Sequence, residues 1–306
     1  MNIFVTGAGG FVGGAFCYYL SETDNVTGLV HDRHPGKRAW ELVYGNVTDL
    51  RRMQELIVDR EVDQVYHFAA KSIVGNCRSD PLGCFHANVM GTATLLEAVR
   101  LSGRDCQVLS MESDKSYGPG PIPYREDQPL VASGVYEASK ACVSHLIRTY
   151  HANYGMKVFG IRSANIYGSG DRNRSRIIPG TITRLLNNEP PIIHVGSEHS
   201  KREYIYINDF FEYAERLMLK GPWGESVNVG SGEVFSVLDL IRAICVAMKR
   251  DVPPHYLPRP QTFLEIPDQE LCLDRLHELV PEHKCLPFMA GLQQTIPWYT
   301  RQVYSQ

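Results

Sequence analysis

The fold of this 306-residue chain is decided by its opening stretch, Asn2-Ile3-Phe4-Val5-Thr6-Gly7-Ala8-Gly9-Gly10-Phe11-Val12-Gly13. An apolar strand leads into glycines at positions 7, 10 and 13, and an apolar helix follows them. In this context Gly7 permits a tight turn, Gly10 lets the backbone approach a pyrophosphate, and Gly13 allows the helix to pack closely on the strand. The free N–H groups at the start of the helix favour phosphates. The stretch therefore predicts a strand–turn–helix unit that binds a dinucleotide.

Strands and helices alternate along the chain that follows. Apolar strands are predicted at 26–30, 42–44, 63–70 and 107–110, with a long helix at 82–100. Such alternation is typical of a parallel, doubly wound α/β sheet. Ligands of these sheets bind at the carboxyl ends of the strands, where the small residues Ala69 and Ala70 leave room for one.

Composition and charge argue against several classes of function. The chain is 43% hydrophobic and 21% charged, as in a soluble globular protein, and its net charge of −3 argues against a general nucleic-acid binder. No apolar run approaches the roughly 20 residues that span a bilayer. The chain reads straight into its first strand, so we expect a cytoplasmic protein. The eight cysteines contain no CxxC pair and the eleven histidines no HExxH, so no metal site is predicted.

The residues after the second strand bear on the choice of cofactor. Asp32 could accept hydrogen bonds from the ribose of NAD. Arg33, with Lys37 or Arg38, could instead hold the additional phosphate of NADP. Lys37 and Arg38 could equally belong to a solvated charged loop. NAD is the first expectation and NADP the alternative.

A second group of residues, between Ser113 and Lys140, carries groups for proton transfer. Tyr136 and Lys140 are four residues apart on a predicted helix and share one face. An ammonium in that position favours the phenolate and lowers the pKa of the tyrosine. Ser113, Asp114 and Lys115 follow a strand and bring a hydroxyl, a carboxylic acid and a second lysine to the same region.

Further motifs follow one another from about residue 3 to about residue 260. They are Thr6-Gly7-x-x-Gly10-x-x-Gly13, His67-x-Ala69-Ala70, Asn88-x-x-Gly91-Thr92, Tyr136-x-x-x-Lys140, Arg162-x-x-Asn165-x-Tyr167-Gly168, Ile178-Pro179 and Arg202-Glu203-Tyr204. In this order they resemble the extended short-chain dehydrogenase/reductase family, in particular its sugar-nucleotide branch. The resemblance implies an NAD(P)-binding Rossmann domain at 1–165, rejoined by part of 205–230. It implies a smaller, mainly substrate-binding α/β domain at 166–306.

The resemblance also implies roles for individual residues. Tyr136 would take a proton from a sugar hydroxyl, Lys140 would hold the nicotinamide ribose, and Ser113 would orient the substrate oxygen. The residues implied to bind the cofactor are Gly7, Gly10, Phe11, Val12, Asp32, Arg33, Asn46, Val47, Ala69, Ala70, Asn88, Tyr136 and Lys140. A homodimer through the helices near 82–100 and 134–152 is implied as well.

The triplet Ser113-Asp114-Lys115 is similar to that of the CDP-glucose 4,6-dehydratase branch, as is Gly170-Asp171 followed by Arg176-Ile177-Ile178-Pro179. The similarity implies a nucleotide-sugar 4,6-dehydratase, which oxidises C4, removes water across C5–C6 and returns hydride to C6. This chain is shorter than expected for that enzyme, and Glu112 stands where serine or threonine is usual. The particular base and hexose therefore stay open.

Elimination of water needs an acid and a base in addition to Tyr136. Asp114, with its pKa raised by burial, is the candidate acid, and Lys115, with its pKa lowered by desolvation, is the candidate base. Glu112 could supply the base instead. A simpler interpretation is that Asp114 and Lys115 form an ion pair at the edge of a loop.

The predicted substrate is a nucleoside-diphosphate sugar. Arginines suit its diphosphate because the planar guanidinium binds phosphate oxygens in pairs. The residues assigned to the substrate are Ser72, Asn165, Arg176, Arg202 and Arg259. No function is assigned to the segment after about residue 264.

Two other functions stay open at this point. A nucleotide-sugar 4-epimerase, or a 4-dehydrogenase/reductase, would need Tyr136 and Lys140 but not Asp114 and Lys115. A non-catalytic NAD(P)-binding protein on the same fold would be expected to lose the Tyr136–Lys140 pair, which this chain keeps.

Overall fold

Seven parallel strands form the central sheet of the computed structural model, which describes residues 1–32, 38–258 and 266–304. The strands along the chain are β1 (Asn2–Thr6), β2 (Asn25–Val30), β3 (Glu41–Tyr44), β4 (Gln64–His67), β5 (Gln107–Met111), β6 (Lys157–Ser163), β7 (Asn165–Tyr167), β8 (Ile192–His194), β9 (Lys201–Tyr206), β10 (Ser226–Val229), β11 (Val234–Ser236) and β12 (His255–Leu257). The central sheet has the order β10-β6-β5-β4-β1-β2-β3, and each neighbouring pair is parallel. The predicted doubly wound, Rossmann-type sheet is confirmed.

Helices cover both faces of this sheet and also pack around the smaller sheets. They are α1 (Phe11–Leu20), α2 (Leu50–Asp59), α3 (Val74–Ser79), α4 (Pro81–Phe85), α5 (Gly91–Ser102), α6 (Val135–Tyr154), α7 (Ile177–Leu186), α8 (Ile207–Lys220), α9 (Val237–Ala247), α10 (Asp274–Leu279) and α11 (Phe288–Tyr304). A π-helical turn at His86–Met90 joins α4 to α5, so one helical run covers the segment predicted at 82–100.

Two apolar layers hold the helices on the sheet. On one face, Phe16 of α1 packs against Phe211 of α8, with their ring centroids 4.9 Å apart. On the other face, Leu56, Leu95 and Ile147 belong to a layer formed by α2, α5 and α6. Because both faces are covered, the inner strands of the sheet are buried on both sides rather than alternating between core and solvent.

The turn between β1 and α1 brings backbone against backbone. Gly7 has a φ of +76°, and a Cβ there would lie 2.7 Å from the backbone nitrogen of Ala69. A Cβ at Gly13 would overlap with the carbonyl oxygen of Gly7. These contacts allow α1 to begin directly beside the ends of β1 and β4.

Strand β4 ends at His67, earlier than the sequence predicted. The N–H of Ala69 donates to Thr6 Oγ1 at 3.2 Å, and Thr6 Oγ1 also lies 2.7 Å from His67 Nδ1. A side chain thus takes the place of a strand partner, and the backbone leaves the sheet. The carboxyl end of the sheet is opened as a result.

The chain after β6 builds two smaller sheets and then returns to the large one. β7, β9 and β11 form one small sheet, and β8 pairs with β12. After β9 and α8, the chain returns to the central sheet, where β10 pairs in parallel with β6 at the edge. In the described part of the chain, no helix combines the length and the apolar character that a membrane crossing requires.

The close approach at Gly13 gives a prediction for stability. Gly13→Ala should destabilise the fold by about 1–3 kcal/mol, because its methyl would overpack against the Gly7 carbonyl. Gly75 is the matched control, since it is also helical and has open space around its Cβ position. Gly75→Ala should be neutral or stabilising by up to about 1 kcal/mol. Urea unfolding measures both, and equal effects would contradict the packing described here.

Candidate active site

One cleft of about 1480 Å³ runs along the carboxyl ends of the central strands. Its walls come from the turns after β1, β2, β4 and β5, from α6 and from the chain after β6. Most predicted site residues line it, namely Gly7, Gly10, Phe11, Val12, Asp32, Asn46, Val47, Ala69, Ala70, Ser72, Ser113, Asp114, Lys115, Tyr136, Lys140, Asn165 and Arg176.

The glycine turn forms the part of the cleft that fits a dinucleotide. Gly10 precedes α1 and carries no side chain to cap it, and the residues of the first turn line the cleft. The N–H groups of that turn are suited to the oxygens of a pyrophosphate. Asp32 lies further along the same wall, with 77% of its side chain exposed. The residues present therefore fit the predicted cofactor.

Tyr136 lies at the start of α6, buried beside the cleft. Burial raises its pKa above the ordinary value, although a hydrogen bond with Ser113 and the charge of Arg176 act in the opposite direction. The lowering of this pKa that was predicted from Lys140 is not the net result in this structure, because the loss of water around the phenol has the largest effect and the charge of Asp114 adds to it.

Lys140 lies one helical turn after the tyrosine and is also buried. Its Nζ donates to the carbonyl of Met111 at 2.6 Å. Burial lowers the pKa of Lys140 to about 8, and the carboxylate of Glu112 opposes this shift. The pKa of Lys140 is therefore closer to neutral pH than that of a lysine in water.

Asp114 begins a 3₁₀ turn, Asp114–Tyr117, at the end of β5. Its Oδ1 accepts a hydrogen bond from Ser113 Oγ at 3.1 Å. Burial raises the pKa of Asp114, while the charge of Lys115 and the hydrogen bond from Ser113 act against this shift. The raised pKa predicted for this carboxyl is confirmed.

Lys115 is half-buried and is joined to Asp114 through a third side chain. Its Nζ lies 3.5 Å from Gln269 Oε1, and Gln269 Nε2 lies 3.3 Å from Asp114 Oδ2. The simpler interpretation predicted a direct ion pair between Asp114 and Lys115. Among the described residues, the carboxamide of Gln269 bridges the two side chains instead.

Glu112 is one of the residues that line the cleft, but its carboxylate is bound inside the protein by Arg162, Ser144 and Ser226. Its Oε2 lies 3.0 Å from Arg162 Nε and accepts from Ser144 Oγ, while its Oε1 accepts from Ser226 Oγ at 2.6 Å. The side chains of Glu112 and Arg162 are 0% and 1% exposed. The prediction that Glu112 could be the base is therefore wrong, because both of its oxygens are committed to this internal pair.

Arg176 and Asn165 lie on the side of the cleft opposite the glycine turn. Arg176 precedes α7, and its Nη1 lies 3.1 Å from Asp171 Oδ2. Its guanidinium is 38% exposed. Asn165 Nδ2 donates to the backbone oxygen of Glu203 at 3.2 Å. Arg176 thus places a cation in the cleft near Tyr136.

Of the predicted site residues in the described part of the chain, Asn88 and Arg202 do not line the cleft. Asn88 is buried in the π-helical turn, where it accepts from Lys71 N at 2.7 Å and donates to Ser139 Oγ at 2.8 Å. The prediction that it contacts the cofactor is wrong, because its amide is used to tie the chain after β4 to α6. The Arg202 guanidinium donates to the backbone oxygens of Ile266 and Pro267 at 2.7 and 2.9 Å. In this structure it does not line the cleft, although its charge acts on Asp114.

Arg33, Lys37 and Arg259, for which sequence patterns predicted phosphate contacts, lie outside the described residues.

The C-terminal segment contributes side chains that the sequence did not reveal. Tyr299 of α11 lines the cleft, and its hydroxyl donates to the Asp171 carbonyl at 2.7 Å. Gln269 reaches the candidate acid and base from a short segment beside β9. Neither residue carries a local motif, so only the folded chain identifies them.

One group of metal-binding side-chain types occurs among the described residues, away from the cleft. Asp209, His283 and Cys285 bring ligand-type atoms within 4.8 Å of one another. His283 Nε2 lies 3.1 Å from Asp209 Oδ1, and Asp209 Oδ2 accepts from Leu286 N at 3.0 Å. These contacts tie the segment before α11 to α8.

The comparison with known families agrees with this geometry. Residues 3–230 match the NAD dependent epimerase/dehydratase family, and the chain belongs to that family. Its members are enzymes that include dehydratases and epimerases. The first expectation for the cofactor, NAD, is therefore confirmed.

Individual relatives include both kinds of enzyme. The dTDP-glucose 4,6-dehydratase of Mycolicibacterium smegmatis is 29% identical over 316 residues, which cover 98% of this chain and 93% of that protein. The solved UDP-glucose 4-epimerase of Thermotoga maritima has a TM-score of 0.91 at 22% identity, with 99% and 100% of the chains covered. A dTDP-glucose 4,6-dehydratase variant of Streptomyces venezuelae has a TM-score of 0.89 at 24% identity, with 99% and 98% covered. Both solved structures share the fold of this chain.

Breaking the buried ion pair should be costly. Arg162→Met leaves the Glu112 carboxylate without its partner and should reduce the free energy of unfolding by about 3–5 kcal/mol. Arg51→Met is the control, because its pair with Glu55 lies at the surface and should contribute less than about 1 kcal/mol. Denaturant unfolding measures the free energy of unfolding of both variants. Similar losses would show that the buried pair contributes no more to stability than the surface pair.

The lowered pKa of Lys140 predicts a pH dependence of stability. Between about 8 in the folded chain and the ordinary 10.5, the unfolded state binds the additional proton. The free energy of unfolding should therefore rise with pH across this window, relative to Lys140→Met, by about 3 kcal/mol. Unfolding curves of both proteins at several pH values measure the difference. A constant difference would contradict the depressed pKa.

Proposed function

We propose that this chain is a nucleotide-sugar 4,6-dehydratase, a hydro-lyase that gives a 4-keto-6-deoxy sugar nucleotide. The observation that carries the proposal is the buried carboxyl of Asp114 in the cleft, next to Ser113 and with its pKa raised. Oxidation at a sugar hydroxyl needs no such acid, whereas loss of water does. The name of the Mycolicibacterium relative supports the same reaction.

The glycine turn would hold the pyrophosphate of NAD, with Asp32 and Asn46 further along the same wall. Lys140 would contact the nicotinamide ribose. The chemistry supplied by bound NAD is acceptance of a hydride from C4 and its return to C6.

Tyr136 would remove the proton of the C4 hydroxyl, which the Ser113 hydroxyl orients. Its phenol begins with a raised pKa, so the cationic groups of the filled site must favour the phenolate. Arg176 already acts in that direction. The resulting C4 ketone acidifies the neighbouring C5–H bond.

Asp114 and Lys115 would then carry out the elimination. Lys115 Nζ, in its neutral form, takes the proton from C5, and the electron pair of the C5–H bond forms the C5–C6 double bond. The C6–O bond breaks as Asp114 gives its proton to the leaving hydroxyl, so that water departs. Each group thus acts once, as base or as acid.

The substrate diphosphate would lie near Arg176, with Asn165 and Ser72 on the same side of the cleft. Arg202 and Arg259 remain proposed diphosphate ligands from the family resemblance. For Arg202 this would require exchange of its backbone partners at Ile266 and Pro267.

A 4-epimerase is the second candidate, supported by the high TM-score of the Thermotoga enzyme. Tyr136 and Lys140 would suffice for it, and the Asp114–Gln269–Lys115 group would have no role in its chemistry. A non-catalytic binding protein is disfavoured by the retained pair of Tyr136 and Lys140. The division at residues 165 and 166, the homodimer and the cytoplasmic location stay predictions.

The decisive test is a panel of CDP-, dTDP-, GDP- and UDP-hexoses incubated with the protein and NAD. Mass spectrometry detects a product lighter by one water, and absorbance detects reduced nicotinamide. Asp114→Asn should slow water loss by about a hundredfold or more, because an amide cannot donate the acid proton. Nicotinamide reduction by the same sugar nucleotide should persist.

Tyr136→Phe is the complementary variant. It should lose nicotinamide reduction as well as water loss, because both depend on removal of the hydroxyl proton. An Asp114→Asn protein that releases water at the parent rate would rule out the dehydratase. A product of unchanged mass with inverted C4 would establish the epimerase instead.

A further inference from the structure

Gln269 joins the two side chains to which the elimination is assigned. It is completely buried, in a segment far along the sequence from Asp114 and Lys115. Its Nε2 donates to Asp114 Oδ2 at 3.3 Å, and its Oε1 accepts from Lys115 Nζ at 3.5 Å. A buried carboxamide between a carboxyl and a lysine nitrogen uses both of its polar ends.

The chemistry of its neighbours fixes the orientation of this carboxamide. The lysine nitrogen carries N–H donors in either protonation state, and Lys115 Nζ donates to Gln269 Oε1 in this structure. The NH₂ group of Gln269 then faces Asp114, and Asp114 Oδ2 must be an acceptor.

This orientation selects which oxygen of Asp114 carries the acid proton. A protonated carboxyl has one accepting oxygen and one hydroxyl. Because the NH₂ group of Gln269 can only donate to Oδ2, the acid proton belongs on Oδ1. The Ser113 hydroxyl donates to Oδ1 in this structure, and it can rotate to accept once Oδ1 is protonated. Oδ1 lies 3.1 Å from Ser113 Oγ, which lines the cleft. The proton is thereby directed toward the side on which the sugar would bind.

The backbone around Gln269 is anchored on both sides. Its own N–H donates to the Lys201 carbonyl at 3.0 Å, and the Glu270 carbonyl accepts from Tyr124 N at 2.7 Å. The N–H of Leu271 donates to the buried carboxyl of Glu203 at 3.0 Å. The carboxamide therefore has a fixed place rather than the freedom of a surface side chain.

We propose that Gln269 is a positioning residue for the elimination, which directs the proton of Asp114 to Oδ1 and holds Lys115 beside it. The catalytic part of this proposal rests on the dehydratase function proposed above. The bridge itself is a property of the folded chain and is tested without substrate.

A double-mutant cycle in stability tests the bridge. Gln269→Met, Asp114→Ala and the double variant should be non-additive by about fivefold in the unfolding equilibrium constant, since one hydrogen bond is lost only once. Gln64 is the matched control, because it is also a buried glutamine whose amide donates a hydrogen bond, here to Gln107 Oε1 at 2.8 Å. It is the first residue of β4, at the end of the strand away from the cleft. Gln64→Met with Asp114→Ala should be additive, and an additive cycle for Gln269 would overturn the bridge.

Partial reactions test the positioning role, with NAD and the sugar nucleotide identified by the panel. Gln269→Met should slow water loss by about tenfold or more and leave nicotinamide reduction within about twofold. Gln269→Glu keeps the shape but replaces the donating NH₂ by an oxygen, so it should be as slow as Gln269→Met. Gln64→Met should retain both rates.

The outcomes separate the two proposals. Equal slowing of both partial reactions in Gln269→Met, or full water loss in Gln269→Glu, would show a structural role and overturn positioning. If the cycle is coupled but the parent protein releases no water from any sugar nucleotide, the dehydratase function and the catalytic part of the proposal fail, and the bridge stands.

Discussion

The loop that carries the candidate catalytic groups depends on one buried ion pair. Glu112 is the residue after β5, and Arg162 reaches it from β6 at 3.0 Å. The same guanidinium donates to Tyr117 Oη at 2.9 Å and lies over that ring at 4.9 Å. Arg162 thus holds the chain just before the 3₁₀ turn through Glu112 and the last residue of the turn through Tyr117. Breaking the ion pair would leave an uncompensated charge inside the protein. The position of Asp114 follows from this constraint.

Removal of water is the common cause of the electrostatic shifts at the site. Burial raises the pKa of Asp114 and of Tyr136 and lowers that of Lys140 to about 8. A carboxyl with a raised pKa and a lysine with a lowered pKa suit proton transfer. Charges nearby oppose the shifts at Asp114 and Lys140, whereas at Tyr136 Arg176 opposes the shift and Asp114 reinforces it. Desolvation therefore has the largest effect on these pKa values, and neighbouring charges have smaller effects.

Sequence patterns served well wherever the relevant information is local. The glycine spacing predicted the β1–α1 turn, and the four-residue spacing placed Tyr136 and Lys140 on one helical face. Patterns failed where a side chain had two possible partners. Asn88 and Arg202 have the residue types of ligand contacts, yet Asn88 ties α6 to a loop and Arg202 donates to backbone carbonyls. Residue type gives the chemistry of a group and leaves its partner undefined.

The sequence by itself determined the alternation of strands and helices, the dinucleotide turn and the candidates for the proton-carrying groups. These depend on periods of two or 3.6 residues and on spacings within one element. Only the tertiary structure decided that Glu112 turns inward, that Gln269 bridges Asp114 and Lys115, and that Tyr136 has a raised pKa. Each of these depends on burial or on a partner from a distant segment, and neither is encoded in a local pattern.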